Sequence, residues 1–274
     1  MEVLEPAGGP DNVLRVAAGD TDFCLTSVAH YLTARAECAE IPARFVAVVS
    51  QRSPMAGIVT ADSDISEPRH LSGCRVGGPP DGLLLAEYRA ALERLGLPPS
   101  ELVPMPYEDA PAALGRGEIE VIPDFADLLP RVRRQAGIQV RAVAFRTDVY
   151  ASGLVAADRL PLETVAGMRD AVVAALEHQQ RDPHWGLDAL LARHPDVEQA
   201  DALEGWSLAE PIIFTGMQPG SMEPHRWEET VAFASAALGV PSVPVYSVFR
   251  PRVRSRSRGE RKLSGVRGKR RSWT

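Results

Sequence analysis

Two stretches of this chain echo one another: Gly153-Leu154-Val155-Ala156-Ala157-Asp158 repeats the pattern of Gly57-Ile58-Val59-Thr60-Ala61-Asp62. Each follows an apolar, strand-like run, Val140 to Phe145 in one case and Phe45 to Val49 in the other. Upstream sits a second matched pair, Gly19-Asp20-Thr21-Asp22-Phe23 and Gly117-Glu118-Ile119-Glu120-Val121. The two matches run co-linearly, at offsets of 96 and 98 residues. Because a repeat has to be recognised before a fold is read, the working expectation is two similar α/β lobes.

The pattern along the chain agrees with that expectation. Residues 1–5 read as a strand, 11–18 as a short helix ended by Gly19, and 22–26 as a strand covered on both faces. Ser27 then caps a helix to about Glu37, and strands follow at 43–49 and 55–60. The clearest helix carries Leu84, Tyr88, Leu92 and Leu95 at helical spacing and stops at Gly96-Leu97-Pro98-Pro99. Strand 101–105, helix 108–115, strand 118–122, helix 124–134 and strand 138–145 complete an alternation that favours a mainly parallel sheet with helices on both faces. Beyond Asp158 only helices are expected: 161–181, one capped by Asp182-Pro183, one around Trp206, and 223–238, packed onto the lobe made by the first 70 residues. Trp185 and Trp227 fall at helical spacing with aliphatics and read as core.

The repeat also exposes an asymmetry. The second half has a strand and helix, roughly 73–97, ahead of its Glu101 strand, whereas the first half begins directly at the equivalent strand. One β/α unit is expected to be missing from the first lobe, as in a shortened form of a longer protein. The resulting organisation is residues 1–70 as the first part of lobe I, 71–149 as lobe II, 150–249 as the return to lobe I with the terminal helices, and 250–274 as a basic tail.

Charge separates the tail from the body. Residues 250–274 hold 11 of the 30 Lys and Arg and one acid, so the preceding 249 residues carry 19 bases against 35 acids. So acidic a body argues against nucleic acid as the main partner, and the Arg-, Ser- and Gly-rich tail reads as disordered. No apolar run is long enough to span a membrane, and the first residues lack the order of a signal peptide. Cys24, Cys38 and Cys74 fall in no metal-type spacing and read as buried free thiols. His30, His178, His184 and His194 form no HxxxH or HExxH pair, so neither a metal nor a cofactor is expected, and the absence of GxSxG leaves a hydrolase little support.

Several short segments taken together resemble a known family. Gln51-Arg52-Ser53-Pro54, Gly73-Cys74-Arg75-Val76-Gly77, Ala113 to Glu120, Tyr150 to Val155 and Ala189 to Pro195 are similar to substrate-binding proteins of ABC transporters that take up alkanesulfonates, nitrate and thiamine pyrimidine precursors. The resemblance implies a two-lobed type II periplasmic-binding fold, with lobes joined by two crossing segments and closing over a ligand, and a helical C-terminal region. It places the Gly57 and Gly153 stretches at the crossings. It further implies a small-molecule ligand, a permease partner, an extracytoplasmic location and a monomer.

Candidate ligand-binding residues follow from where strands end and crossings lie. Thr26 and Ser27 close a strand and open a helix, with hydroxyls and amides for an anion or ring substituent or an ordinary N-cap as the plain alternative. Pro80 and Asp81 hold the corresponding place in the second lobe. Gln51, Arg52 and Ser53 leave a strand at the first crossing, where Arg52 is a candidate fork for a sulfonate or carboxylate. Asp124 and Phe125 offer an acceptor and a stacking ring, against simple helix capping by Asp124. Tyr150 precedes the second crossing and offers both ring and hydroxyl. Trp206 and Glu210 come from the helical region expected to face the cleft. The leading expectation is a non-catalytic solute-binding component, favouring a thiamine-pyrimidine-type ligand over a sulfonate because cleft-placed Arg is scarce. A thiamine-pyrimidine-synthase-like enzyme is the rival, weakened because such enzymes use a lysine-bound pyridoxal phosphate and residues 1–249 hold no lysine. An effector-sensing domain of a regulator is the third reading.

Overall fold

The structure is a computed structural model describing residues 2–38 and 40–250. The basic stretch 251–274 lies outside the described residues, as does the disorder expected of it.

Helix α1 (Asp11–Ala18) ends at Gly19, whose φ of 91° is a left-handed conformation that glycine adopts without Cβ strain, and the chain passes into β1 (Phe23–Ser27). Ser27 caps α2 (Val28–Glu37) by accepting from the His30 N–H at 3.0 Å, and β2 (Ala43–Ser50) follows. Residues 51–54 deliver the chain to β3 (Met55–Thr60). After β4 (Arg75–Gly78), α3 (Leu83–Arg94) and β5 (Glu101–Pro104), the opening motif recurs. Helix α4 (Ala110–Gly115), a left-handed Gly117 at φ 72°, β6 (Ile122–Phe125), α5 (Leu129–Ala136) and β7 (Val140–Ala144) repeat the order seen from α1 to β2. Residues 145–151 then cross to β8 (Ser152–Ala157), and α6 (Leu162–Arg181), α7 (Pro183–Arg193), α8 (Gln199–Ile213) and α9 (Pro224–Leu238) follow.

The two sequence twins occupy equivalent places. Strand β8 lies between β1 and β2 and antiparallel to both, while β3 lies between β6 and β7 and antiparallel to both. Each twin is therefore the reversed central strand of its sheet, entered by a crossing from the other lobe. Both begin with glycine because a neighbour presses on the backbone there. A Cβ on Gly57 would lie 2.6 Å from Leu71 Cδ2 and 2.9 Å from Val121 Cγ1, and one on Gly153 would collide with the Ala47 carbonyl oxygen.

The mainly parallel sheet expected from the β/α alternation is corrected by these central strands: among the described pairings, only β4 with β5 forms a parallel ladder, extended by a single bridge at Val76–Val121, and one further parallel bridge joins Phe45 of β2 to Phe249. Helices do cover both faces of each sheet. Val13, Tyr31, Phe45 and Trp227 form the core on one side of the β1–β8–β2 sheet, and Val46, Leu154 and Val165 that on the other. The second sheet buries Tyr88, Leu92 and Val143 on one side and Ile58, Leu114 and Val132 on the other.

Other local expectations also shift. Residues 2–5 form no strand and are exposed: the second lobe holds β5 against β4, and no counterpart of β4 exists among the described residues of the first lobe. The strand expected at 118–122 forms at Ile122–Phe125, so Asp124 sits in a strand and not at a helix start. Chain exchange between sheets occurs near residue 54, so β3 pairs within the second sheet. Helix α8 packs on α5 of the second lobe, tied by Arg133–Glu204 at 2.6 Å and by Arg134–Asp201, while α9 packs on α2 and on α3. Trp227 is fully buried and stacked on Phe249, whereas Trp185 is 49% exposed against His178. All three cysteines are free, but Cys38 is exposed.

Candidate functional site

The crossings put the ends of both sheets beside one another. From the first lobe come Ser27 at the end of β1, Ser50 at the end of β2 and Ser152 at the start of β8, with Ser50 Oγ 2.8 Å from Ser152 Oγ. From the second come Phe125 at the end of β6, Asp127 just beyond it and Glu87 from α3. Together with Tyr150 and Thr230 these groups line a cavity of about 180 Å³. A second cavity, of about 380 Å³, adjoins it, sharing Ser27 and Phe125 as common wall. Its remaining lining is mostly apolar and includes Pro79, Leu83, Leu85, Tyr107 and Pro123.

The electrostatics of the smaller cavity are acidic. Burial pushes the Glu87 carboxyl up to about 7. Burial also raises Asp127, aided by the charge of Asp124, and Asp127 Oδ1 is buried without a hydrogen-bond partner. Among the described residues no Arg or Lys lines either cavity, and His30, in the larger one, is held toward its neutral form by burial. The start of α2 faces this space, but two amides there already have partners: Val28 N–H donates to Ala151 O at 2.9 Å and His30 N–H to Ser27 Oγ. The arrangement suits a ligand that brings donors, or a donor beside an acceptor, more than a strong oxyanion.

Four of the residues singled out from sequence, Ser27, Ser53, Phe125 and Tyr150, share the lining of the smaller cavity. Thr26 lies behind them with its hydroxyl buried and unpartnered. Asp124 is fully buried beneath the site, accepting from Phe125 N–H at 2.8 Å and from Arg131 Nη2 at 3.0 Å. Pro80 and Asp81 are exposed outside both linings. Trp206 lines a third cavity of about 300 Å³, formed by α6, α7 and α8 and sharing Asp127 with the first, and Glu210 lines none of the three.

Gln51 and Arg52 belong to the crossings themselves. Arg226 of α9 reaches across both: it donates to the Gln51 carbonyl, to Gln51 Oε1 at 3.1 Å and to Asp148 Oδ1 at 2.9 Å, with its guanidinium 4.2 Å from the centre of the Tyr150 ring. Arg52 Nε lies 3.6 Å from the same Asp148. Asp148 is thus the shared anchor, and Ser53 N–H adds a bond to Thr147 O at 3.2 Å.

Sequence reading missed Glu87, Asp127, Ser50, Ser152, Thr230 and Arg226. Glu87 adjoins the apolar stripe of α3 and looks like any helix-surface acid. Only the packing of α3 on α9 turns it inward. Arg226 carries no local signal beyond an arginine in a helix otherwise set by Trp227 and Val231.

Residues 1–183 match the family described as NMT1/THI5 like. Among solved structures, the chain is similar to the periplasmic aliphatic sulphonate binding protein SsuA from Escherichia coli, with a TM-score of 0.67 and 17% identity, covering 97% of this chain and 84% of that one. The alkanesulfonate-binding protein SsuA from Xanthomonas axonopodis pv. citri, bound to MOPS, gives a TM-score of 0.63 at 16% identity, covering 90% and 86%. A ligand binding component of an ABC-type import system from Staphylococcus aureus, with zinc bound, gives 0.60 at 14% identity, covering 92% and 86%. At these identities the likeness is one of fold, the two-lobed type II periplasmic-binding architecture. No curated protein matches the sequence.

Proposed function

Because this chain belongs to the NMT1/THI5-like family, we propose that it is the solute-binding component of an ABC importer, capturing a small heteroaromatic amine of the thiamine-pyrimidine type between its lobes. The observation that carries the ligand class is the presence of both Glu87 and Asp127 in the lining of a cavity that otherwise offers hydroxyls and, among the described residues, no Arg or Lys. An aminopyrimidine presents an N–H donor next to a ring-nitrogen acceptor. A carboxyl that titrates near neutrality meets such an edge in either protonation state, accepting from the amine and, when protonated, donating to the ring nitrogen. Phe125 and Tyr150 supply ring faces beside it. A sulfonate would arrive with three acceptor oxygens and find two acids and, among the described lining residues, no cationic partner. The solute-binding relatives named above support the transport role, with a permease as partner and an extracytoplasmic location. For the synthase alternative, no lysine in residues 1–249 is available to hold pyridoxal phosphate as a Schiff base.

Isothermal titration calorimetry with 4-amino-2-methylpyrimidine and with butanesulfonate tests the ligand class. The expected result is saturable binding of the pyrimidine, weakened at least about tenfold by Glu87→Ala through loss of a buried hydrogen-bonding partner, and no binding of the sulfonate. Saturable binding of the sulfonate alone would overturn it.

A further inference from the structure

The polar chamber at Glu87 is small. Its volume of about 180 Å³ accommodates a single substituted ring, yet the space continues past Ser27 and Phe125 into the larger chamber of about 380 Å³. That chamber differs in chemistry as well as size. Leu83, Leu84 and Leu85 at the start of α3, with Pro79, Pro123 and Phe125, give it an apolar lining, and the polar residues facing it are Ser27, His30 and Tyr107. Two of these three are already engaged: Ser27 Oγ by the His30 amide and Tyr107 Oη by Arg131 Nη2 at 3.1 Å. Backbone glycines form the floor. Gly77 is held bare because a Cβ there would lie 2.5 Å from Ile119 Cδ1.

Leu83 is informative in this setting. It opens α3, lines the chamber, and is not a member of either core cluster of the second lobe, so its side chain belongs to the chamber and not to the packing beneath. An aminopyrimidine alone would leave this apolar space to water with few hydrogen-bonding partners, a poorly held solvent that an apolar group displaces favourably.

Building on the ligand class proposed above, we propose that the captured solute is bipartite, an amino-heterocycle at Glu87 carrying an apolar alkyl or aryl arm that occupies the Gly77–Leu85 chamber. The arm is selected by burial of apolar area, at about fourfold in affinity per methylene removed from water. The head is selected by the carboxyl. The shared wall at Ser27 and Phe125 fixes the distance between the two.

The test compares four probes on the whole chain by calorimetry: 4-amino-2-methylpyrimidine, the same ring with a 5-butyl arm, butanesulfonate and hexanesulfonate. The expected result is that the butyl arm tightens binding by at least about tenfold, and that Leu83→Gln removes most of this gain while leaving the unsubstituted pyrimidine unchanged. Binding of both pyrimidines with equal affinity overturns the arm and leaves the head intact. Binding of the sulfonates alone, strengthened by chain length and weakened by Leu83→Gln, overturns the head and retains the arm's chamber. Binding of no probe by a chain that melts cooperatively overturns both.

Discussion

The two sheets are built from one repeating order, yet they end differently at their outer edges. In the second lobe β6 continues outward through the Val76–Val121 bridge to β4 and then β5. In the first lobe β1 stops at β8, and its outward side has no strand partner among the described residues, with Leu25 61% exposed upon it. The β4–α3 unit of the second lobe has no described counterpart in the first. That same unit supplies Glu87, Gly77, Gly78 and Leu83 to Leu85, most of what makes the cleft chemically distinct. The repeat builds the frame, and its unmatched unit adds the acid and the apolar lining to the candidate cleft. The first lobe contributes hydroxyls and a helix start; the second contributes the acid and the apolar chamber.

The central strands test whether the frame is equivalent. Gly153→Val forces a side chain against the Ala47 carbonyl, which cannot swing aside, and is expected to destabilise the protein by about 3 kcal/mol or more in urea unfolding. Gly57→Val meets the ends of Leu71 and Val121, which can adjust, and should cost about 1–3 kcal/mol. Equal losses, or a larger loss at Gly57, would break the account of the two close approaches.

Titration separates the lobes next. Glu87 in the folded protein titrates near 7 against an ordinary value of 4.5, so between those values the folded state keeps a proton that the unfolded chain has lost. Its contribution to stability is therefore full below about 4.5 and is lost as pH rises through 7. The expected change is on the order of 2 kcal/mol, partial exposure of the side chain tempering the full shift. Glu87→Gln should flatten the melting-temperature profile between pH 4.5 and 7.5, and an unchanged profile would show that burial of this acid is not what raises it.

The crossings come third. Arg226→Met removes the guanidinium that joins Gln51 to Asp148 and is expected to cost about 2 kcal/mol. The cost is moderated because Asp148 is itself exposed to water. Ligand affinity should fall as well, since this cation ties the two crossings together. Loss of stability with affinity unchanged would make Arg226 a packing residue only.

Hydrogen exchange sharpens the edge comparison at smaller amplitude. Amides of β1 that point away from β8 should exchange faster than those of β6, by at least about tenfold. The smallest effect belongs to the surface. A double-mutant cycle on Arg133 and Glu204, which join α5 to α8, should return a coupling of about 0.5–1 kcal/mol that shrinks in high salt.

Much of the frame was legible from local chemistry. The helix from Ser27 to Glu37, the helix of Leu84, Tyr88 and Leu92 and the strand 55–60 all form where their patterns place them, because capping, periodicity and glycine stops act over a few residues. The direction of the central strands was not legible. A β/α alternation reads as parallel, and nothing within Gly57 to Asp62 or Gly153 to Asp158 says that the strand enters from the other lobe and runs backwards. The start of β6 also slipped, since Ile119 to Phe125 is apolar enough to pair at more than one register, and pairing with β3 decided it. The site divides likewise. Ser27, Ser53, Phe125 and Tyr150 reach the lining of the candidate cavity from strand ends and crossings, where sequence could look for them, while Glu87 and Arg226 sit mid-helix and reach their positions only when those helices pack.

The amino-acid sequence alone establishes that this chain carries co-linear twin stretches, each starting with glycine, within a β/α alternation, and that its body is acidic and free of lysine through residue 249. These are properties of composition and short-range pattern. The tertiary structure alone decided which sheet each twin joins, which acid is driven toward its protonated form, and which arginine bridges the crossings. Those outcomes depend on burial and on contacts between residues far apart in the chain, and no local pattern encodes either.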